Sequence, residues 1–273
     1  MEQQDKRPTE QELRQRFNPE GSVLRRHQMK MLEMVTLLDS VCKKYGIQYF
    51  LYGGTLLGAM RHNGFIPLDD DLDVGLLRDD YNRLMKVLPA ELPADISLQT
   101  NDSDPNYFYF FAKLRDRNSI LEEPSPYDRV FKERGIYIDI FPFERQTLWT
   151  HRLAEPLQAH CFKIFRTARN LDSAMRRIRF ITWVNRRLTF PLLRFVSRLT
   201  FGRTLTYSYG IPFHIIYDEK DIFPLAKHSF EGIELSVPGN SDRMLRSQFG
   251  NYMQLPNLDK VGGDHVVSLT FKN

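Results

Sequence analysis

The run from Leu68 to Leu77 limits the fold of this chain more than any other stretch, because charge and hydrophobicity alternate along it. Asp69, Asp71 and Asp73 fall on one face of a strand by period two, and Leu72, Val74 and Leu76 fall on the other. Neighbouring aspartates on such a face are separated by only about 7 Å of strand rise. Like charges that close resist joint ionisation unless a cation neutralises them. The apolar side calls for burial and thereby fixes the direction of the acidic side. Asp71 and Asp73 are the natural pair to hold Mg2+, a hard cation that takes oxygen ligands together with substrate phosphates, with Mn2+ as the alternative ion. The competing reading of Asp69 to Asp73 is a solvated acidic turn.

The flanking sequence supplies the rest of a sheet and its helices. From Val23 to Tyr45 the apolar positions Leu24, Met31, Val35, Leu38, Cys42 and Tyr45 recur at helical steps, and Gly46 stands where a left-handed cap belongs. Ile47 to Tyr52 reads as a strand that runs into Gly53-Gly54-Thr55, a turn where backbone can approach a ligand closely. Thr55 to Arg61 fits a short helix, broken by Asn63-Gly64 and kept from resuming by Pro67. Asp79 or Asp80 is placed to cap a helix through Tyr81, Leu84 and Leu88, which Pro89 ends. Ile96 to Leu98, Tyr107 to Leu114 and Gly135 to Phe141 read as further strands.

Asp139 adds a second signal. It sits among Ile136, Tyr137, Ile138, Ile140 and Phe141, where an isolated charge is expensive. If its strand lies beside that of Asp71 and Asp73, three carboxylates converge on one metal site. A buried aspartate satisfied by backbone donors or an arginine is the plainer alternative. A glycine turn, a short helix and a strand carrying Asp-x-Asp follow one another here, with 17 residues from Gly54 to Asp71. That layout is the one found in the nucleotidyltransferase superfamily, where the turn holds phosphates and the aspartates hold metal. The expected fold is therefore α+β, a nucleotidyltransferase-like mixed β-sheet core with flanking helices and a basic helical insertion. Its expected division is a flexible N-terminal tail over 1–21, a catalytic core over 22–145, the insertion over 146–216, and the C-terminal part of the catalytic domain over 217–273.

Charge locates the insertion. Arg152 to Arg203 carries 12 basic side chains against Glu155 and Asp172, a local balance of +10, whereas the whole chain is only +4 and is thus −6 outside this stretch. A basic total concentrated in one segment of an otherwise acidic chain is not a nucleic-acid signature, so no nucleic acid partner is expected. Arg169, Arg176, Arg177, Arg179, Arg186, Arg187, Arg194 and Arg198 punctuate Phe180, Ile181, Trp183, Phe190, Leu192, Leu193, Phe195 and Phe201. Such alternation over 169–203 fits a peripheral, in-plane contact with an anionic membrane. It fits equally a helical insertion that packs on the acidic core or binds phosphates. No run reaches the ~18 apolar residues of a membrane span, and Met1 to Glu20 lacks the apolar core of a signal peptide. Two cysteines, Cys42 and Cys161, build no disulfide framework and suit a reducing compartment.

One stretch also resembles a known family. Tyr49-Phe50-Leu51-Tyr52-Gly53-Gly54-Thr55-Leu56-Leu57-Gly58-Ala59-Met60-Arg61-His62-Asn63-Gly64-Phe65-Ile66-Pro67-Leu68-Asp69-Asp70-Asp71-Leu72-Asp73-Val74-Gly75 is similar to the signature of the LicD family, which includes bacterial phosphocholine transferases and fukutin-type ribitol-phosphate transferases. Gly135-Ile136-Tyr137-Ile138-Asp139-Ile140-Phe141-Pro142 resembles its second motif. Phe223-Pro224, Phe230-Glu231-Gly232, Phe249-Gly250 and Leu255-Pro256 resemble its C-terminal block. The resemblance implies transfer of a phospho-alcohol, phosphocholine from CDP-choline above all, to a hydroxyl of a cell-surface glycan, with release of CMP. It implies a lipopolysaccharide or teichoic-acid type of acceptor, lipid-linked in one version, and a cytoplasmic enzyme at the inner face of the inner membrane. The family's metal-binding and catalytic aspartates fall on Asp71, Asp73 and Asp139, its phosphate-contacting turn on Gly53, Gly54 and Thr55, and basic positions on Arg61, Lys113 and Arg115. Leu68 departs from the pattern, since a tryptophan is usual there, and the cysteine cluster of the fukutin-related branch is absent, so no structural zinc is expected.

Three questions stay open at this level. Tyr107 to Phe111 could cage a quaternary ammonium group, although a strand buried on both faces is the plainer reading. His62, the one histidine near the acidic run, reads as a turn residue rather than a catalyst. Two other functions share these motifs: an Asp-x-Asp glycosyltransferase using a nucleotide-sugar, and a non-catalytic nucleotide-binding or scaffold module.

Overall fold

Alternation of Ile138 and Ile140 with Tyr137, Asp139 and Phe141 produces the central strand of the computed structural model, which describes residues 8–213, 215–258 and 268–272. The strands in chain order are β1 (Phe50–Leu51), β2 (Asp73–Leu77), β3 (Ile96–Gln99), β4 (Ala112–Asp116), β5 (Ser119–Glu122), β6 (Tyr137–Gln146), β7 (Thr204–Tyr207), β8 (Ala226–Phe230), β9 (Ile233–Val237) and β10 (Ser268–Phe271). Six of them form one mixed sheet in the order β1-β2-β6-β4-β3, with β7 added along the far end of β6. Only β2 and β6 run parallel; the other pairs are antiparallel. Strand β6 is long enough to pair with β4 through its first half and with β7 through its second. Two small sheets, β5 with β10 and β8 with β9, sit outside. The α+β reading thus holds: a mixed six-stranded sheet flanked by helices, and no closed barrel.

Helices α1 (Glu10–Phe17), α2 (Val23–Tyr45), α3 (Gly53–His62) and α4 (Arg78–Glu91) come first. Helix α2 follows the predicted bounds, capped by Ser22, whose hydroxyl accepts from the Arg25 N–H, and closed by Gly46 at φ 60°. It buries Met31, Val35, Leu38 and Cys42, and both α2 and α4 pack on β6. Helix α4 begins directly after β2, so Asp79 and Asp80 stand in its first turn and not at the cap. Pro89 does not end it at once, because a proline removes only its own N–H from the last turn.

The tail reading fails for residues 8–21. Thr9 and Glu12 form a capping box that starts α1, and Arg14 of that helix reaches Glu231 at 2.8 Å, joined there by Arg25 at 2.7 Å. Residues 1–7 lie outside the described residues.

The basic segment folds as α5 (Leu148–Arg166), α6 (Leu171–Val184), a π-helical turn over Asn185–Thr189, and α7 (Phe190–Leu199). Pro191 lies in the first turn of α7, where its missing N–H costs least. Tyr107 to Phe111 is not a strand, and β4 begins only at Ala112. Tyr107 and Phe108 instead join Phe131, Cys161, Ile164, Ala174, Met175 and Ile178 in a second hydrophobic core against α5 and α6. Both rings pack on Tyr109 and on Phe131, with centroids 5.2 Å apart for Tyr107 and Phe131, so this run is packing and not an open cage. The last helices, α8 (Glu219–Ile222) and α9 (Ser241–Phe249), bracket the β8–β9 hairpin.

Candidate active site

Register brings the charged residues together. In the parallel β2–β6 pair Asp73 stands opposite Asp139, and in the antiparallel β4–β6 pair Lys113 stands opposite Asp139. Asp73, Asp139 and Lys113 therefore form a row across three neighbouring strands, which lie about 4.8 Å apart. Lys113 Nζ meets Asp139 Oδ1 at 2.8 Å and lies 3.3 Å from the centroid of the Tyr137 ring.

Helix α3 backs this row. It begins at Gly53, two residues earlier than periodicity suggests, so the two glycines form its first turn and not a turn before it. Its N-cap, Tyr52, is extended and offers no side-chain hydrogen bond, so the first N–H groups of the helix receive none from their own cap residue. Gly53 holds φ +59°, and a Cβ on it would meet Asp73 Oδ2 at 3.7 Å; on Gly54 it would meet Asp69 Oδ2 at only 3.2 Å. The carboxylates thus flank the positive end of the helix, which favours negative charge. Thr55 is buried, and its hydroxyl accepts from the Asp73 N–H at 2.8 Å, fixing the start of β2.

The acidic run is a loop rather than a strand until Asp73. Asp69, Asp70 and Asp71 curl so that one carboxylate oxygen of each lies within 4.8 Å of the others. Gln28 of α2, fully buried, donates to the Asp69 carbonyl at 2.8 Å, and accepts from Asn18 at the end of α1 at 2.6 Å. The N-terminal helix so helps to hold the acidic loop.

Electrostatics follow from this crowding. Burial, and then the charges of Asp139, Asp71 and Asp69, push the Asp73 carboxyl well above the usual carboxylate range, with Lys113 opposing. Burial likewise pushes Asp139 up to about 6, with Lys113 pulling it back and Asp71 adding to the rise. A partly buried face of repelling carboxylates beside a helix N-terminus suits a divalent cation and the phosphates it binds. Asp71, Asp73 and Asp139 have the oxygen chemistry for that ion, and Asp69 and Asp70 cluster with Asp71.

The other expected residues divide. Arg61 stands eight residues along α3 from Gly53, about 12 Å of helix rise, and its Nη1 donates to the Tyr252 carbonyl at 2.8 Å. It ties the C-terminal segment to α3 and is not brought to the row of Asp73 and Asp139. Its neighbour His62 is buried in the last turn of α3, 2.8 Å from the Glu10 carboxylate. Arg115 is wholly buried, donating to Gln99 Oε1 and the Gly135 carbonyl at 2.9 Å and to Asp128 at 2.8 Å. With its donors committed inside the protein, it supports the sheet rather than reaching a substrate.

Sequence reasoning passed over Glu123. It accepts from the Tyr137 hydroxyl at 2.6 Å, and burial followed by the charge of Asp128 pushes it up to about 7. No local signal marks it, because its partners come from β6 and from the turn at Asp128. A cavity of about 1100 Å3 is lined by none of Asp71, Asp73 and Asp139; it opens between α4, β3 and the segment of Arg186, Arg187 and Arg194.

The sequence is similar to those of known proteins. Residues 46–163 match the family profile described as LicD/FKTN/FKRP, nucleotidyltransferase domain. The chain is 28% identical over 256 residues to lipopolysaccharide cholinephosphotransferase LicD of Haemophilus influenzae, covering 89% of this chain and 96% of that protein. An uncharacterized protein of Rickettsia prowazekii is 52% identical over 61 residues, 22% of this chain and 23% of its own length. Human ribitol 5-phosphate transferase FKRP is 41% identical over 59 residues, 22% of this chain and 12% of its own.

Proposed function

From a chain that carries a LicD-family domain, we propose a transferase that moves a phospho-alcohol from a CDP-activated donor to a hydroxyl of a cell-surface glycan. Phosphocholine is the proposed cargo, because the relative aligned over nearly its whole length is a lipopolysaccharide cholinephosphotransferase. The observation that carries the reading is the pairing of Asp73 with Asp139 in adjacent strands, beside the start of α3.

In this reading Asp71, Asp73 and Asp139 hold Mg2+, which when bound neutralises the donor's pyrophosphate and the charge that develops on its leaving oxygen. The N–H groups at Gly53, Gly54 and Thr55 donate to phosphate oxygens, as helix N-termini do. Lys113, already beside Asp139, adds positive charge at the reacting phosphorus. The acceptor hydroxyl gives its proton to Asp73 or Asp139 as its oxygen bonds to the phosphorus nearer the alcohol, and the bond from that phosphorus to the bridging oxygen breaks, so that CMP leaves with the bridging oxygen. Positioning and charge neutralisation supply most of such catalysis, so the rigid support of the site by Thr55 and Gln28 matters.

Calorimetric binding of CDP-choline, CDP-ribitol, CDP-glycerol and UDP-glucose, with and without Mg2+, tests this on wild type and Asp71→Asn. Metal-dependent binding of one CDP-alcohol, lost in the variant, supports the reading and names the donor. Preference for the UDP-sugar favours the glycosyltransferase, and binding indifferent to metal and variant favours a non-catalytic module.

A further inference from the structure

We propose that the ridge formed by α6, the π turn and α7 lies in the plane of an anionic lipid bilayer. Phe180, Trp183, Leu188, Leu192, Phe195 and Leu199 are each more than half exposed, from 54% at Trp183 to 66% at Phe180. They step along the helix by three, five, four, three and four, and the step of five falls on the π turn of Asn185–Thr189. A π turn closes at i→i+5 and so absorbs the extra residue, keeping the exposed stripe in phase. The buried stripe makes the same adjustment, stepping by five from Asn185 to Phe190. One irregularity therefore keeps two faces continuous, an inner one against the protein and an outer apolar one facing away.

The charges bordering the ridge choose the occupant. Arg186 is paired with Asp102, and Arg194 with Glu144, which anchors the segment to the rest of the chain. Arg176, Arg177, Arg179 and Arg198, by contrast, have no ion pair among the described residues, and all are exposed. Asp172 is the one acid on these helices. Helical period sets Arg176, Phe180 and Trp183 on one face, so a guanidinium group borders the rings. Phosphate headgroups match that border while the rings and leucines enter the acyl boundary. A second copy of the same face would set arginines against arginines. No helix among the described residues is long and apolar enough to cross a membrane, so the contact is in-plane.

This inference does not depend on the transfer reaction, and its test reads binding alone. The full chain is sedimented at low salt with vesicles of phosphatidylcholine and with vesicles in which about 30% is replaced by phosphatidylglycerol. Retention by the anionic vesicles only is expected, weakened about tenfold or more by Phe180→Ser with Phe195→Ser and by Arg176→Glu with Arg179→Glu. In a Trp149→Phe background the emission of Trp183 is expected to shift to the blue on those vesicles. No retention at low salt, equal retention by neutral vesicles, or retention indifferent to the apolar substitutions overturns the proposal. So does a concentration-dependent dimer that the same substitutions abolish in the absence of lipid binding. Transfer to a water-soluble acceptor stays unchanged in these variants, which separates failure here from failure of the catalytic reading.

Discussion

Asp139 and Glu144 stand five residues apart on β6, and the pleat sends them to opposite faces. Glu144 is buried and Asp139 largely so, yet their environments push them in opposite directions. Burial raises Asp139 to about 6, with Lys113 opposing and Asp71 adding to the rise. Burial would raise Glu144 too, but Arg78 and Arg194 overcome it and hold the carboxyl down to about 2. Arg194 meets Glu144 at 2.7 Å, and Ser208 and the Tyr209 N–H complete its shell. At Glu144 the fold supplies its own counter-charge, and the carboxylate serves as a rivet between β6, α4 and α7. At Asp139 burial outweighs the one counter-charge, Lys113, and Asp71 adds repulsion, an arrangement that suits a site finished by a ligand.

Asp73→Asn tests this contrast most strongly. Transfer is expected to fall about 10³-fold, near 4 kcal/mol in the barrier, while thermal stability of the metal-free protein holds or rises because one of the repelling charges is gone. Steady-state transfer and thermal unfolding read the two effects, and a clear loss of stability with activity intact would reverse the roles assigned to the two faces.

Glu144→Gln is expected to do the opposite. Transfer stays within about threefold, and stability falls by about 3 kcal/mol as Arg78 and Arg194 lose their counter-charge. The pH sign follows from the shift: the folded carboxyl, near 2, lies below its ordinary 4.5, so its contribution is complete above pH 4.5 and is lost as pH falls toward 2. Urea unfolding of wild type and variant across that window should converge toward its acid end, and a constant gap would break the comparison.

A smaller change sharpens it from a distance. Gln28→Leu leaves Asn18 and the Asp69 carbonyl without their buried partner, which costs about 1–2 kcal/mol. Because the loop it holds carries Asp69 to Asp71, donor affinity is expected to drop severalfold as well, read by the same calorimetry. Loss of stability with unchanged affinity would mean that the acidic loop does not need its helical support.

Much of this molecule was legible before folding was considered. Helix α2 announces itself through Met31, Val35, Leu38 and Cys42, and Asp-x-Asp after a Gly-Gly turn marks where acid and phosphate chemistry belong. The capping box of Thr9 and Glu12 was also readable, yet the polar composition around it argued for a tail. What holds α1 is Glu231, 217 residues beyond Arg14. Arg115 and Lys113 show the limit most sharply, since they are two residues apart, basic, and on the same face of one strand. One is consumed by Asp128, Gln99 and the Gly135 carbonyl, while the other meets Asp139.

Local pattern by itself determined helix α2, the alternation along β6, the place of the two glycines ahead of the acidic run and the residues able to carry negative charge, because these depend on periods of two and 3.6 and on backbone freedom at glycine. Only the tertiary structure decided which charges meet: that Asp73 faces Asp139 and Lys113, that Glu144 is matched by Arg78 and Arg194, and that the rings of α6 and α7 face away from the protein. Those outcomes depend on strand register and helix packing between segments far apart in the chain, and a side chain's neighbours, not its type, set whether its charge is spent on stability or left for a ligand.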